Sequence, residues 1–485
     1  MLFNSYEFVF LFLPAAFAGF FLIARFHHRL AATWLAVASL IFYGWWDPRY
    51  LVLLLGSITF NYLMGLAIGF ARHDGQTTAR AGILTTIAVV ADLAILGYYK
   101  YTDFFIRTVD AVTGLDWAMW HVVLPLGISF FTFTQIAFLI DVYRGIAREY
   151  NAVHYFLFAS YFPHLIAGPV LHHKQMMPQF DRAATYRPQA ANLSDGMTLF
   201  TIGLFKKVLI ADQFALYANP VFNAVEAGGH PMLTEAWVGA LAYTFQLYFD
   251  FSAYSDMAIG LSKLFNVDLP INFNSPYKAR DIIDFWRRWH MTLSAFLRDY
   301  LYIPLGGNRR GPARRYVNLM ATMILGGLWH GANWTFALWG TLHGLYLVIN
   351  HGWKVARDRL GLPSTPGGAW LAGCLTFVAV VVAWVFFRAT SIDAALRLLG
   401  GAVGGNGLGS YHALAPHVPA SPAAVLAWLA AGFLIVKLAP NSMEIVGMLK
   451  AWPHRGAVLG YAVGAAFVFV LLNFNRVSTF IYFNF

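Results

Sequence analysis

Stretches of apolar residues long enough, or nearly long enough, to cross a bilayer recur along almost the whole chain. They begin near Phe8, Ala32, Tyr50 and Ala81 and continue to one near Ala457. A membrane helix needs about 20 such residues, and inside lipid only helices or closed barrels satisfy their own backbone hydrogen bonds. The 485 residues are 59% hydrophobic and 12% charged, whereas a soluble domain is about one quarter charged. The pattern dictates an all-α polytopic membrane protein with about 11–13 transmembrane or partial helices. It reads as a single integral-membrane domain over residues 1–485, with no soluble second domain.

The formal net charge of +10 is read through topology, because basic residues mark cytoplasmic loops. They cluster at Arg72–Arg80, Arg144–Arg148, Lys278–Arg288, Arg309–Arg315 and Lys354–Arg359. Since they occupy short loops between apolar runs, no nucleic-acid partner is expected. Arg25, His27, His28 and Arg29 follow the first apolar run, the reverse of a secretory signal. That run is therefore an expected uncleaved first span with its amino end outside. Gly404–Pro422 lacks Lys and Arg and is the candidate outer loop. A single cysteine, Cys374, excludes an intrachain disulfide and a metal site built on paired cysteines. No HExxH, GxSxG, GxGxxG or P-loop pattern is present. The two halves show no shared hydropathy landmarks, which argues against an inverted-repeat transporter.

Two histidines stand out. His330 lies in Ile324-Leu325-Gly326-Gly327-Leu328-Trp329-His330-Gly331-Ala332-Asn333-Trp334, and an ionisable group at membrane depth is costly and usually functional. Arg315 and Lys354 both read as cytoplasmic, so the interval between them must enter and return. It falls just short of the roughly 40 apolar residues that two crossings need. The fifteen steps from Arg315 to His330 reach about 22 Å along a helix. This predicts a turn at Gly331, Ala332 and Asn333 between two shortened helices, with His330 lining an internal tunnel. A straight helix whose histidine faces a neighbour is the alternative.

His290 lies in Asp284-Phe285-Trp286-Arg287-Arg288-Trp289-His290. From Asp281 to Tyr300 the pattern predicts one amphipathic helix on the cytoplasmic side, with Trp286, His290, Leu293 and Leu297 on its inner face. Asp284 and Arg288 are spaced to pair. A neutral imidazole in a dry cavity can accept a hydroxyl proton, which suits attack of an alcohol on an acyl thioester. His172-His173-Lys174 reads as a solvated loop, His343 and His351 as helix-face or interface residues, and Lys206-Lys207 as anchors. Asp250 and Asp256 are either structural pairs or cavity groups.

Several stretches together resemble the membrane-bound O-acyltransferase (MBOAT) family, in the bacterial branch that includes alginate O-acetyltransferase. They include Phe42-Tyr43-Gly44-Trp45-Trp46-Asp47, Pro163-His164-Leu165-Ile166-Ala167-Gly168-Pro169, Tyr248 to Gly260, the segment ending in His290, Arg298 to Gly307, Gly327 to Ala332, and the ending Phe480–Phe485. His164 and His172-His173 are departures, because relatives often carry glutamine or arginine there.

The resemblance implies the MBOAT fold around a central tunnel, with a core over roughly 120–400. It implies that His330 is the family's essential histidine and His290 its upstream partner position. Trp286, Trp329 and Asn333 are then the expected substrate-binding walls and oxyanion-type contacts. The implied donor is a cytoplasmic acyl thioester, acetyl-CoA, with no bound cofactor or metal. The implied partner is a periplasmic SGNH-hydrolase-like acetyltransferase that modifies a polysaccharide, and the implied location is the bacterial inner membrane. Peptidoglycan or cellulose are rival acceptors, and a transporter of acyl groups without catalysis is the rival from another class.

Overall fold

The computed structural model describes residues 1–72, 76–149, 151–363, 365–409, 421–451, 455–474 and 479–481. Every regular element among them is helical. Most of the expected outer loop, residues 410–420, and most of the chain's ending, residues 482–485, lie outside the described residues. Among the described residues four helices are individually long and apolar enough to span: Glu7–Ala24, Arg49–Ala71, Ala79–Thr113 and Pro366–Arg388. A fifth candidate is the bent pair Pro422–Leu438 and Ser442–Ala451. The remaining helices are shorter or carry more polar residues, and in a membrane those residues must be satisfied within the protein.

The chain divides into two compact units. The first comprises Met1–Leu204, Tyr254–Ile271 and Leu449–Thr479, and the second Phe205–Ala253, Asn272–Met448 and Phe480–Phe485.

In the first unit, polar side chains on apolar helices find one another. Asn61, wholly buried, donates from Nδ2 to Asp92 Oδ1 at 2.8 Å and to the Ser57 carbonyl at 3.0 Å. Gln135 Nε2 donates to Ser57 Oγ at 3.1 Å. The expected solvated loop at His172–Lys174 is instead the start of the helix His173–Phe180. The His173 ring is buried, its Nε2 lying 3.1 Å from Glu149 Oε2. Burial pushes the Glu149 carboxyl up, but hydrogen bonds from His173 and the Asn151 amide, with the charges of His173 and His154, hold it below its ordinary value.

The second unit contains the predicted hairpin. A helix runs Gly311–His330, Gly331 is extended, and the next helix runs Trp334–Arg359. The turn falls where the Gly-Ala-Asn sequence placed it, and the straight-helix alternative is excluded. Asn333 caps the second helix, its Oδ1 accepting from Thr335 N–H at 3.1 Å. The helices are not short, however. They hold 20 and 26 residues, about 30 and 39 Å, because the basic flanks at Arg314–Arg315 and Lys354–Arg359 are themselves helical.

Glycines let the two helices approach closely. A Cβ on Gly340 would overlap the Met323 carbonyl oxygen, and one on Gly327 the Phe336 carbonyl oxygen. Such small-residue contacts are the usual means of packing membrane helices, where lipid offers no hydrophobic driving force between them.

The same unit holds a buried ion cluster. Lys207 Nζ lies 2.6 Å from Asp250 Oδ1 and 2.9 Å from Asp212 Oδ1. Asp250 Oδ2 also accepts from the Ile481 amide at 2.9 Å. Lys207 is 1% exposed, so it is an internal counter-ion and not the surface anchor expected from the Lys-Lys pair. Asp250 resolves as a structural pair.

Candidate active site

The two histidines singled out in the sequence meet in the second unit. Their ring centroids are 6.2 Å apart, and both are buried, His290 completely. Each reaches this position by a different local route.

His330 is the last residue of its helix. Its ring packs edge-on against Trp329 at 4.9 Å, Trp339 at 5.2 Å and Phe387 at 5.2 Å. Trp339 comes from the returning helix of the hairpin, and Phe387 from the apolar helix Pro366–Arg388. The hairpin therefore places the imidazole among aromatic faces that exclude water.

His290 does not ride on a continuous amphipathic helix. The segment breaks into helices Ile282–Trp286 and Met291–Leu297, and His290 itself sits at φ +43°, ψ +53°, the left-handed region. For a non-glycine residue that conformation costs on the order of 1–3 kcal/mol and persists only where neighbours impose it. The cause is a polar strap before the segment. The Asn274 amide donates to the Arg288 carbonyl at 2.9 Å, and the Met291 amide to the Asn272 carbonyl at 2.9 Å. These bonds draw the chain out of helix and turn His290 inward. The predicted Asp284–Arg288 pair is present at 2.9 Å.

Asn272 also fixes the protonation pattern of His290. Its Oδ1 accepts from Thr292 N–H at 3.3 Å and lies 3.0 Å from Thr292 Oγ1. Since a backbone N–H can only donate, that atom is the amide oxygen. His290 Nδ1, 3.1 Å from it, is therefore the donor. In the neutral ring the lone pair then resides on Nε2, which is the form a proton acceptor requires. Sequence reasoning missed Asn272. The only signal was a run of asparagines, Asn272 and Asn274, in an otherwise apolar stretch, and its partners lie 18 and 20 residues away.

The other expected site residues divide. Trp329 is 4% exposed and packs on His330, with its ring 6.4 Å from His290. Trp286 reaches the same aromatic cluster, 5.9 Å from Trp339, and donates from Nε1 to His343 Nδ1 at 3.3 Å. Asn333 has both ends of its amide engaged in the turn, Oδ1 on Thr335 N–H and Nδ2 donating to the Thr390 carbonyl at 2.7 Å. His343 faces this interior completely buried, whereas His351 lies beside Arg315 at 3.0 Å. Among the described residues no cluster of three or more His, Cys, Asp or Glu could hold a metal ion.

The structure thus brings the two imidazoles together, buried among aromatic rings, within a helical membrane protein. The membrane-bound O-acyltransferase (MBOAT) family profile matches residues 40–391, and the chain belongs to that family. It is accordingly a multi-pass membrane O-acyltransferase. A peptidoglycan O-acetyltransferase of Helicobacter pylori is 43% identical over 85% of this chain and 81% of its own. The Pseudomonas putida protein named "Probable alginate O-acetylase AlgI" is 44% identical over 82% of this chain and 80% of its own. A teichoic acid D-alanyltransferase of Streptococcus thermophilus is more distant, 29% identical over 54% of this chain and 68% of its own.

Proposed function

We propose that the protein, in the bacterial inner membrane, takes an acetyl group from a cytoplasmic thioester, acetyl-CoA, and passes it across the membrane for O-acetylation of an exopolysaccharide. A periplasmic SGNH-hydrolase-like acetyltransferase would complete the transfer. The observation that carries this reading is the facing imidazole pair, with the His290 lone pair held on Nε2 by Asn272.

In this mechanism His330 accepts the proton of the acceptor hydroxyl as its oxygen attacks the acetyl carbonyl. The C–O bond forms, the C–S bond breaks, and the proton leaves with the thiolate as free thiol. His290 orients the acceptor or relays the proton, and Asn272 Oδ1 steadies the ring as charge passes through it. Transfer through an acyl-histidine would use the same residues in two steps. The aromatic walls keep water from intercepting the thioester. The clusters at Arg314–Arg315 and Lys354–Arg359 offer the donor's phosphates a basic mouth at the open end of the hairpin.

The acceptor is the open choice, and the Helicobacter pylori relative favours peptidoglycan as the second reading. The enzyme is tested apart from the acceptor by following thiol release from acetyl-CoA with purified full-length protein in proteoliposomes. Release that depends on the protein and rises when the periplasmic partner and its glycan are added is the expected result. No release under either condition, with acetyl groups still crossing the membrane, would instead favour a transporter.

A further inference from the structure

The hairpin carries a third imidazole that the proton-transfer scheme does not use. His343 is 0% exposed and sits about two and a half turns into the returning helix. Its ring lies 4.8 Å from Trp339, which also contacts His330 at 5.2 Å. Trp286 Nε1 is 3.3 Å from His343 Nδ1. An indole nitrogen can only donate, so Nδ1 accepts and the neutral ring carries its hydrogen on Nε2. Among the described residues that buried Nε2 meets no hydrogen-bond acceptor, and neither does the buried Nε1–H of Trp339.

Two neighbouring buried N–H groups are thus without an acceptor among the described residues. Leaving such donors unmatched is costly, and native interiors rarely do so. What they lack is an acceptor, and the surrounding rings of Trp286, Trp384 and Tyr346 are suited to an uncharged group.

Position narrows the choice. Along the helix, His343 lies nine residues beyond Trp334 and eleven before Lys354, about 14 Å and 16 Å respectively. It therefore stands roughly midway between the basic end of the hairpin and the turn that bears His330. A thioester donor whose phosphates rest at the basic end and whose acetyl group reaches His330 passes this point with its uncharged pantetheine arm. That arm is rich in carbonyl acceptors.

We propose that His343 Nε2–H and Trp339 Nε1–H bind carbonyl oxygens of the pantetheine arm, making His343 a donor-binding residue. The proposal rests on the thioester reading of the donor. It applies equally to coenzyme A and to a carrier-protein thioester, which present the same arm.

The test compares His343→Phe, which keeps a ring without a donor, with His343→Gln, which keeps an N–H. Full-length protein is assayed for thiol release from acetyl-CoA and from acetyl-pantetheine, the arm without its nucleotide. His343→Phe is expected to raise KM for both about three- to tenfold, the worth of one hydrogen bond between neutral groups, with kcat within about twofold. His343→Gln is expected to recover most of that loss. Unchanged KM in His343→Phe, or a loss confined to kcat that Gln does not restore, overturns the inference alone. Wild-type protein that ignores both thioesters overturns the donor reading and this inference with it.

Discussion

Replacing His330 by Ala is expected to lower acetyl transfer by at least about 10²- to 10⁴-fold, the range supplied by a positioned general base, while the protein still accumulates in membranes. The imidazole is at the end of its helix and 4% exposed. Its removal takes nothing from the glycine contacts that pack the hairpin, which involve Gly327 and Gly340 against backbone. The hole left among Trp329, Trp339 and Phe387 costs some stability, but the turn is held by Asn333 through Thr335 and Thr390. Acetyl content of the cell-surface polysaccharide, measured against the amount of protein in the membrane fraction, separates the two effects. Near-normal acetylation with normal protein would remove His330 from the chemistry.

The second large effect is structural. Lys207→Met is expected to lose about 3–5 kcal/mol, because it strips the counter-charge from two buried carboxylates. Asp250 and Asp212 both lie within 3 Å of the Lys207 ammonium, and their side chains are 3% and 8% exposed. Asp250 in addition accepts from the Ile481 amide, so an uncompensated charge there also strains the packing of residues 480–481. A loss of this size is a large share of a typical folding free energy. Little folded protein should survive detergent extraction. Adding Asp212→Asn and Asp250→Asn to Lys207→Met should restore part of the yield, since no unpaired charge then remains. Wild-type thermal stability in Lys207→Met would show that the cluster is not a counter-ion arrangement.

The sequence made visible what depends on neighbours in the chain. Long apolar runs announced membrane helices, and Gly331-Ala332-Asn333 announced the turn, because glycine and asparagine are what a helix end and a following cap require. Basic residues on both sides of one interval imply a hairpin from sequence alone, although they mark its outermost helical turns rather than its boundaries. The resemblance then suggested the role proposed for His330, which no local pattern could.

What stayed hidden depends on contacts distant in sequence. Periodicity placed His290 on a helix face, yet backbone bonds from Asn272 and Asn274 break that helix and turn the ring inward. Hydropathy made Lys207 an anchor because lysine beside an apolar run usually sits at the interface. Its partner Asp250 is 43 residues on, and only the packed fold brings them together. Asn61 and Asp92, 31 residues apart, are a similar case in the first unit.

In the proposed mechanism His290 and His330 act as one unit on one proton. A double-mutant cycle tests it most directly, comparing thiol-release and acetyl-transfer rates of His290→Ala, His330→Ala and the pair in the same proteoliposomes. Residues that serve a single step are strongly non-additive. The double variant should therefore be no slower than the slower single variant, within about threefold. If the two losses multiply, or if His290→Ala leaves both rates unchanged, the imidazoles do not share the step and the mechanism proposed for this site is wrong.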